Sequence, residues 1–237
     1  MKRGFSWDKA VFLAVLVTLV GSAAYSLLGV LSAPSGAMPA LAHGKVRGDY
    51  LLTLLQCLLG ILLVFLPSMI QKRLHVALPG GMSIVFVVFL YAAIYLGEIR
   101  SFYDRFPHWD LVLHTFSGLM LGALGFSVVS LLNDSDRVKV SLSPLFMAVF
   151  AFCFAAALGV LWEIYEFSVD GLLGLNMQRF AVVGGAPLVG REALSDTMED
   201  LIVDCLGALV ISTAGYFSEK HGKGLVERLA MRRTGPS

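Results

Sequence analysis

The chain has 237 residues, of which 57% belong to the AVILMFWYC set and 15% are charged, and its mean hydropathy is +0.78. Soluble domains carry about 25% charged residues, so the composition argues against a soluble enzyme and excludes a disordered chain. With 18 Lys+Arg against 17 Asp+Glu the formal charge is +1, which argues neither for a nucleic-acid partner nor for a generally basic surface.

Six apolar runs approach or reach the roughly 20 residues that cross a bilayer as a helix. In chain order they cover residues 10–31, 50–70, 82–96, 111–132, 144–169 and 197–217. These spans use most of the length. The expected fold is therefore all-α, a polytopic bundle of six transmembrane helices forming one membrane domain over residues 1–237. The first run follows Lys2 and Arg3, and Ala40-Leu41-Ala42 resembles a signal-peptidase site. Its hydrophobic stretch exceeds the 7–15 residues of a signal sequence, which favours an uncleaved anchor. The third run is short, and Glu98 and Arg100 beyond it suggest that its end sits in protein rather than lipid. Cys57, Cys153 and Cys205 lie far apart inside apolar runs and read as small core hydrophobes.

Six spans put both termini on one side. The amino terminus, second loop, fourth loop and tail hold twelve of the 18 Lys and Arg; the other loops hold Lys45, Arg47, Arg100, Arg105, Arg179 and Arg191. The positive-inside rule then places both termini in the cytoplasm of a cell membrane. The third loop, 97–109, and the long fifth loop, 170–195, face outward. The fifth loop contains Gly171, Gly174, Gly184, Gly185 and Gly190 with Phe180, Val182, Val183 and Leu188 among them. Apolar residues in so long a connection suggest a lid or re-entrant segment; the competing reading is an exposed loop.

Ionisable residues gather on three helix ends that this topology sets on the outer face. The fourth helix begins Asp110-Leu-Val-Leu-His114, an i, i+4 pair. The fifth ends Trp162-Glu163-Ile-Tyr-Glu166-Phe-Ser-Val-Asp170, with acids at i, i+3 and i+7. The sixth begins Asp196-Thr-Met-Glu199-Asp200-Leu-Ile-Val-Asp204, with acids at i, i+4 and i+8. Each set shares one helix face. At about 1.5 Å per residue, Glu163 and Asp204 lie roughly 10–12 Å from the polar ends of their helices. Ionised acids at such depth normally face a bundle interior or cavity, and several together require protons, bases or a bound cation.

Basic residues occur only in the loops around this cluster. Carboxylates with one imidazole suit a divalent metal: Zn, Mn, Fe or Mg. The expected ligands are His114, Glu163, Glu166, Asp200 and Asp204, with Asp200 and His114 as the catalytic pair and Asp200 as general base. Asp110, Asp170 and Asp196 are expected at the rim, as outer ligands or supporting partners. The competing readings are a helix cap for Asp110 and Asp196, an interior hydrogen-bonded histidine for His114, and pairing of Glu163 and Glu166 with loop arginines. Gly118, Gly122 and Gly207 read as small residues that let helices approach closely. Tyr95, Phe102, Tyr103, Phe106, Trp109 and Trp162 fit an interfacial aromatic belt. Serine-hydrolase, zincin and nucleotide-loop motifs are absent.

These motifs carry a resemblance. Tyr103-Asp104, Asp110 to His114 with Gly118, Trp162-Glu163-Ile-Tyr-Glu166 with Asp170, and Asp196-Thr-Met-Glu-Asp200-Leu-Ile-Val-Asp204-Cys-Leu-Gly207 resemble the YjdF-like family of small bacterial inner-membrane proteins, and more loosely VanZ-like proteins. The resemblance spans roughly residues 50 to 218 and implies a multi-pass helical fold, with no activity, substrate or cofactor attached to it. Three functions are therefore weighed: a metal-dependent enzyme acting on a lipid or envelope precursor, a cation or proton transporter, and a membrane protein whose polar cluster only specifies packing. The oligomeric state leaves no signal in the chain.

Overall fold

The computed structural model describes residues 7–35, 45–78, 81–133, 141–181, 186–222, 224 and 231–233. The signal-peptidase-like residues 40–42, the loop residues Val182, Val183, Gly184 and Gly185, and the basic residues Lys2, Arg3, Arg137, Lys139, Lys223 and Arg228 lie outside them.

Among the described residues, six helical segments are long and apolar enough to cross a membrane: Asp8–Ser32, Arg47–Arg73, Met82–Ile99, Trp109–Asn133, Pro144–Leu173 and Glu192–His221. The order is α1 (Trp7–Ser32), α2 (Arg47–Val64), α3 (Leu66–Leu74), β1 (Val76–Ala77), α4 (Met82–Leu90), a π-helix (Tyr91–Ile99), α5 (Phe102–Arg105), α6 (Trp109–Asn133), α7 (Pro144–Leu173), α8 (Glu192–His221) and β2 (Arg232–Arg233). The second run is interrupted at Phe65, between α2 and α3. Pro67 is the cause, since it has no N–H to donate and its ring crowds the carbonyl four residues back. The third run continues beyond Leu96 as the π-helix, which brings Glu98 into the span.

The helices form two units, each with its own interior. The first is built mainly from α1, α2, α4, the π-helix and α5. Its core is an apolar seam of Val15, Leu19, Cys57, Val64, Val87, Leu90 and Ile94. One acid enters this seam's neighbourhood, and it is met by protein groups. Gln56 Nε2 donates to Glu98 Oε1 at 3.1 Å, and Lys45 Nζ donates to the Glu98 carbonyl oxygen at 3.2 Å. The widened π turn, with Arg100 N–H reaching back to the Tyr95 carbonyl at 3.0 Å, carries Glu98 there.

The second unit is built on α6, α7 and α8. Ser143 caps α7, accepting from the Phe146 N–H at 3.2 Å, and Pro144 occupies the first turn, where its missing N–H costs nothing. Gly174 ends the helix in the left-handed region, at φ 64°. The buried stripe of α7 runs Met147, Ala151, Ala155, Gly159, Glu163, Glu166, Asp170, so a single face passes from small apolar residues to acids. On α8 the corresponding face runs in the opposite sense, from Asp200 and Asp204 to Gly207, Ala208, Ser212 and Gly215. Antiparallel packing brings the two acidic ends together. At the other end the interior is Phe126, Val129, Met147, Ala148 and Ala151.

Helix termini differ from expectation where it matters for the site. Helix α8 begins at Glu192 and α6 at Trp109, so neither Asp196 nor Asp110 occupies a cap position, and the capping reading is corrected for both. Polar residues at these ends keep the helical hydrogen bonds although hydropathy has already fallen. The fifth connection shortens accordingly to residues 174–191. Of the cysteines, only Cys57 is buried; Cys153 lies on an exposed face of α7, which corrects its reading as a core residue. Val76–Ala77 pairs antiparallel with Arg232–Arg233, within the second unit.

Candidate metal centre

The close approach of α6 and α8 sets the geometry. A side chain at Gly118 would strike the Asp204 backbone carbonyl, and one at Gly207 would strike the Thr115 carbonyl. These two glycines let the backbones touch at the level where His114 meets α8. Gly159 contributes from α7, since a β-carbon there would come within 2.8 Å of Asp204 Oδ2.

His114 is the hub. Its Nδ1 lies 3.1 Å from Asp204 Oδ2. Its Nε2 lies 3.8 Å from both Asp110 Oδ1 and Asp200 Oδ2. One ligand-capable atom from each of Asp110, His114 and Asp200 falls within 4.8 Å of the others. The other Asp204 oxygen, Oδ1, accepts from the Ser117 hydroxyl, which also stands 2.9 Å from the His114 carbonyl. The single hydroxyl proton favours the carboxylate, where the bond is charge-assisted. Asp204, expected among the ligands, thus spends both oxygens on His114 and Ser117, while Asp110, expected at the rim, stands with Asp200 on the other side of the ring.

Burial is deep. Asp200 is 2% exposed, Asp204 3%, Glu163 4%, Glu166 9% and His114 8%. Glu163 and Glu166 occupy successive turns of α7 and lie within electrostatic range of His114 and Asp110, as does the half-buried Asp196. Both Glu163 oxygens are buried without a hydrogen-bond partner. Gln178 and Thr197 stand beside this carboxylate, and the bond between them, Nε2 to Oγ1 at 2.9 Å, leaves the Thr197 hydroxyl proton and a second Gln178 N–H on the side chains next to Glu163.

Asp170 is placed differently. Its two oxygens accept the Met177 and Gln178 backbone N–H groups at 2.7 and 3.0 Å, and its carbonyl accepts from Gly174 at 2.8 Å. It therefore anchors the connection after α7 and delivers Arg179, whose Nε lies 3.6 Å from Asp110 Oδ2. Arg179 has a left-handed backbone, φ 48°, an uncommon conformation for a side chain branching from Cα. This is the basic residue that joins the cluster; the expected alternative had loop arginines pairing with Glu163 and Glu166. Ser117 escaped the sequence reading although its i+3 spacing from His114 puts it on the same side of α6.

Compared with known proteins, residues 10–221 match the family described as "Predicted membrane protein (DUF2238)". An "Uncharacterized protein" of Thermotoga maritima is 25% identical over 154 residues, which cover 64% of this chain and 70% of the relative. No solved structure matches. The chain belongs to the DUF2238 membrane-protein family. That agrees with the motif resemblance at the level of a membrane-protein family and does not extend to the narrower YjdF-like or VanZ-like naming.

Proposed function

We propose that this DUF2238 protein is a metal-dependent membrane enzyme whose divalent cation is held by Asp110, His114 and Asp200. One observation carries the reading: an imidazole nitrogen and two carboxylates from two helices converge within 4.8 Å, inside the span-length part of the chain. Buried acids in a membrane helix are costly unless they are matched, and among the described residues two basic groups, His114 and Arg179, stand against the cluster's acids. Mixed nitrogen and carboxylate donors suit Zn, Mn or Fe, and Mg less well. Asp204 on the far ring nitrogen fixes the tautomer that leaves Nε2 free to coordinate, and Ser117 fixes Asp204.

Asp110, His114 and Asp200 would hold the cation, which would supply Lewis acidity to a phosphoryl or carbonyl oxygen and to an attacking water. Asp200 places one oxygen near His114 Nε2, and its second is the group we assign to accept that water's proton. Arg179, delivered by Asp170, faces an anionic substrate group from the connection above. Both termini are assigned to the cytoplasm and the cluster to the extracytoplasmic side. A membrane-embedded site there suits a lipid or an envelope precursor as substrate.

Transport by the same acids has less support. Beyond Asp204 the described interior of α6 to α8 offers Gly122, Ala151, Ala155, Ala208 and Phe126 with the hydroxyls of Ser127, Ser130, Ser212 and Ser218, and no further buried acid or base. Elemental analysis of detergent-purified protein tests the proposal, with Asp200→Asn beside the wild type. Stoichiometric metal in the wild type that is lost in a normally folded variant is the expected result. Metal-free wild type after metal-replete growth would refute it.

A further inference from the structure

Asp170 shares the acidic stripe of α7 but gives neither oxygen to the triad. It is buried, and its oxygens accept the Met177 and Gln178 N–H groups, which reverses the chain after Gly174. The strap that follows is tied to both neighbouring helices. Gln178 Nε2 donates to Thr197 Oγ1 on α8, one turn before Asp200, at 2.9 Å, and Arg179 Nε lies 3.6 Å from Asp110 Oδ2 on α6. Leu175 and Met177 within it are buried. Residues 174–179 therefore join the ends of α6, α7 and α8 beside the candidate metal centre.

Asp110 is where the strap and the triad meet. Its Oδ1 lies 3.8 Å from His114 Nε2, while its Oδ2 faces Arg179. One carboxylate thus turns one oxygen to the cation position and the other to a guanidinium, and its negative charge stands between the two. An outer partner of this kind fixes the direction of a ligating carboxylate, which the metal would otherwise have to order by itself. Arg179 keeps its left-handed backbone, φ 48°, a conformation that persists only where the surroundings impose it. Asp170 imposes it from the chain side, through the two residues before Arg179.

We infer that Asp170 is a positioning residue for the metal centre: by holding the strap it sets Arg179 on Asp110, and strap and cation stabilise one another through that carboxylate. This rests on the metal-centre reading above. Such coupling is reciprocal, so the factor by which the cation closes the strap is the factor by which releasing the strap weakens the cation.

Mn²⁺ alone, added to chelator-stripped, full-length protein in detergent, tests both directions. Equilibrium dialysis reads affinity, and mass spectrometry follows trypsin cleavage after Arg179, which requires the strap to open locally. In the wild type, saturating Mn²⁺ is expected to slow this cut about tenfold or more. Asp170→Ala is expected to be cut rapidly with and without Mn²⁺ and to bind Mn²⁺ about tenfold or more weakly, the usual loss when an outer partner is removed. Asp170→Asn, which keeps one accepting oxygen, should fall between that variant and the wild type. Should Asp170→Ala not fold, Arg179→Ala keeps every Asp170 bond and is expected to weaken Mn²⁺ binding about threefold or more. A purely structural Asp170 would instead lower the melting temperature and leave the affinity of the folded protein unchanged, which would overturn the inference. Mn²⁺ bound by the wild type without protection of the Arg179 cut would also overturn it and leave the triad standing. No bound Mn²⁺ would overturn both readings.

Discussion

Two glutamates inside span-length helices meet opposite surroundings. Glu98, in the first unit, accepts a hydrogen bond from Gln56 and has Lys45 at its own carbonyl. Glu163, in the second, is buried with both oxygens unmatched, among Glu166, Asp110 and His114. Glu98 is half-buried and Glu163 is 4% exposed, so an acid's place in a span-length helix does not by itself mark function. The absence of a protein partner does, because a buried carboxylate without one needs something from outside the chain.

The packing beneath the two acids differs as well, and glycine substitutions give the largest expected effect. At Gly118 an added β-carbon meets the Asp204 backbone carbonyl, which cannot move without displacing α8. At Gly60 it meets the tip of the Ile94 side chain, which can rotate. Gly118→Ala should destabilise by about 3 kcal/mol or more and Gly60→Ala by about 1 kcal/mol, the spread typical of overpacking. Thermal unfolding in detergent measures both. Similar melting temperatures for the two variants would remove the close α6 to α8 contact from the account.

Next come the groups that orient rather than bind. Asp204→Asn should weaken metal affinity about 10–100-fold, the usual cost of losing the partner behind a ligating histidine. Gln56→Leu, which removes one donor to Glu98, should cost about 1–3 kcal/mol of stability and leave metal affinity unchanged. Isothermal titration and unfolding measurements on both variants separate the roles; a metal defect in Gln56→Leu would erase the contrast. Ser117→Ala should weaken affinity by less than Asp204→Asn, about 3–10-fold, since one hydrogen bond of about 1 kcal/mol is removed and the His114 contact remains.

The smallest expected effect on stability comes from neutralising the two glutamates. Glu98→Gln keeps an oxygen that can accept from Gln56 and should change stability by less than about 1 kcal/mol. Glu163→Gln should leave the metal-free protein unchanged or raise its melting temperature, because an unmatched charge is removed, while it lowers the added stability conferred by metal. If metal-free Glu163→Gln melts well below the wild type, a protein group does satisfy Glu163 and the comparison fails.

Much of this was legible from the chain. Period-3.6 spacing assigned Asp110 and His114, Glu163 and Glu166, and Asp200 and Asp204 each to one helix face, and span counting brought those faces to one end of the bundle. Spacing gives a face but not a rotamer. It therefore could not tell that Asp204 turns to Nδ1 and Ser117 while Asp110 turns to Nε2. Asp170 shares the α7 stripe, yet it bonds to Met177 and Gln178 because the chain folds back past Gly174, a reversal that hydropathy does not encode. The helix ends at Glu192 and Leu173 were hidden for a related reason: hydropathy drops at the membrane boundary, whereas helical hydrogen bonding continues through polar residues. Pro67 and the π-helix changed the spans locally through backbone sterics and hydrogen-bond register.

The central claim is that the second unit's acids are matched by a divalent cation, and metal-dependent melting tests it most directly. Wild-type protein, stripped and then given Mn²⁺ at about a hundred times its dissociation constant, should gain about 2.7 kcal/mol of stability. Asp200→Asn should gain far less, and Glu98→Gln as much as the wild type. A wild-type melting curve that does not move on adding Mn²⁺, Zn²⁺, Fe²⁺ or Mg²⁺ would contradict the account.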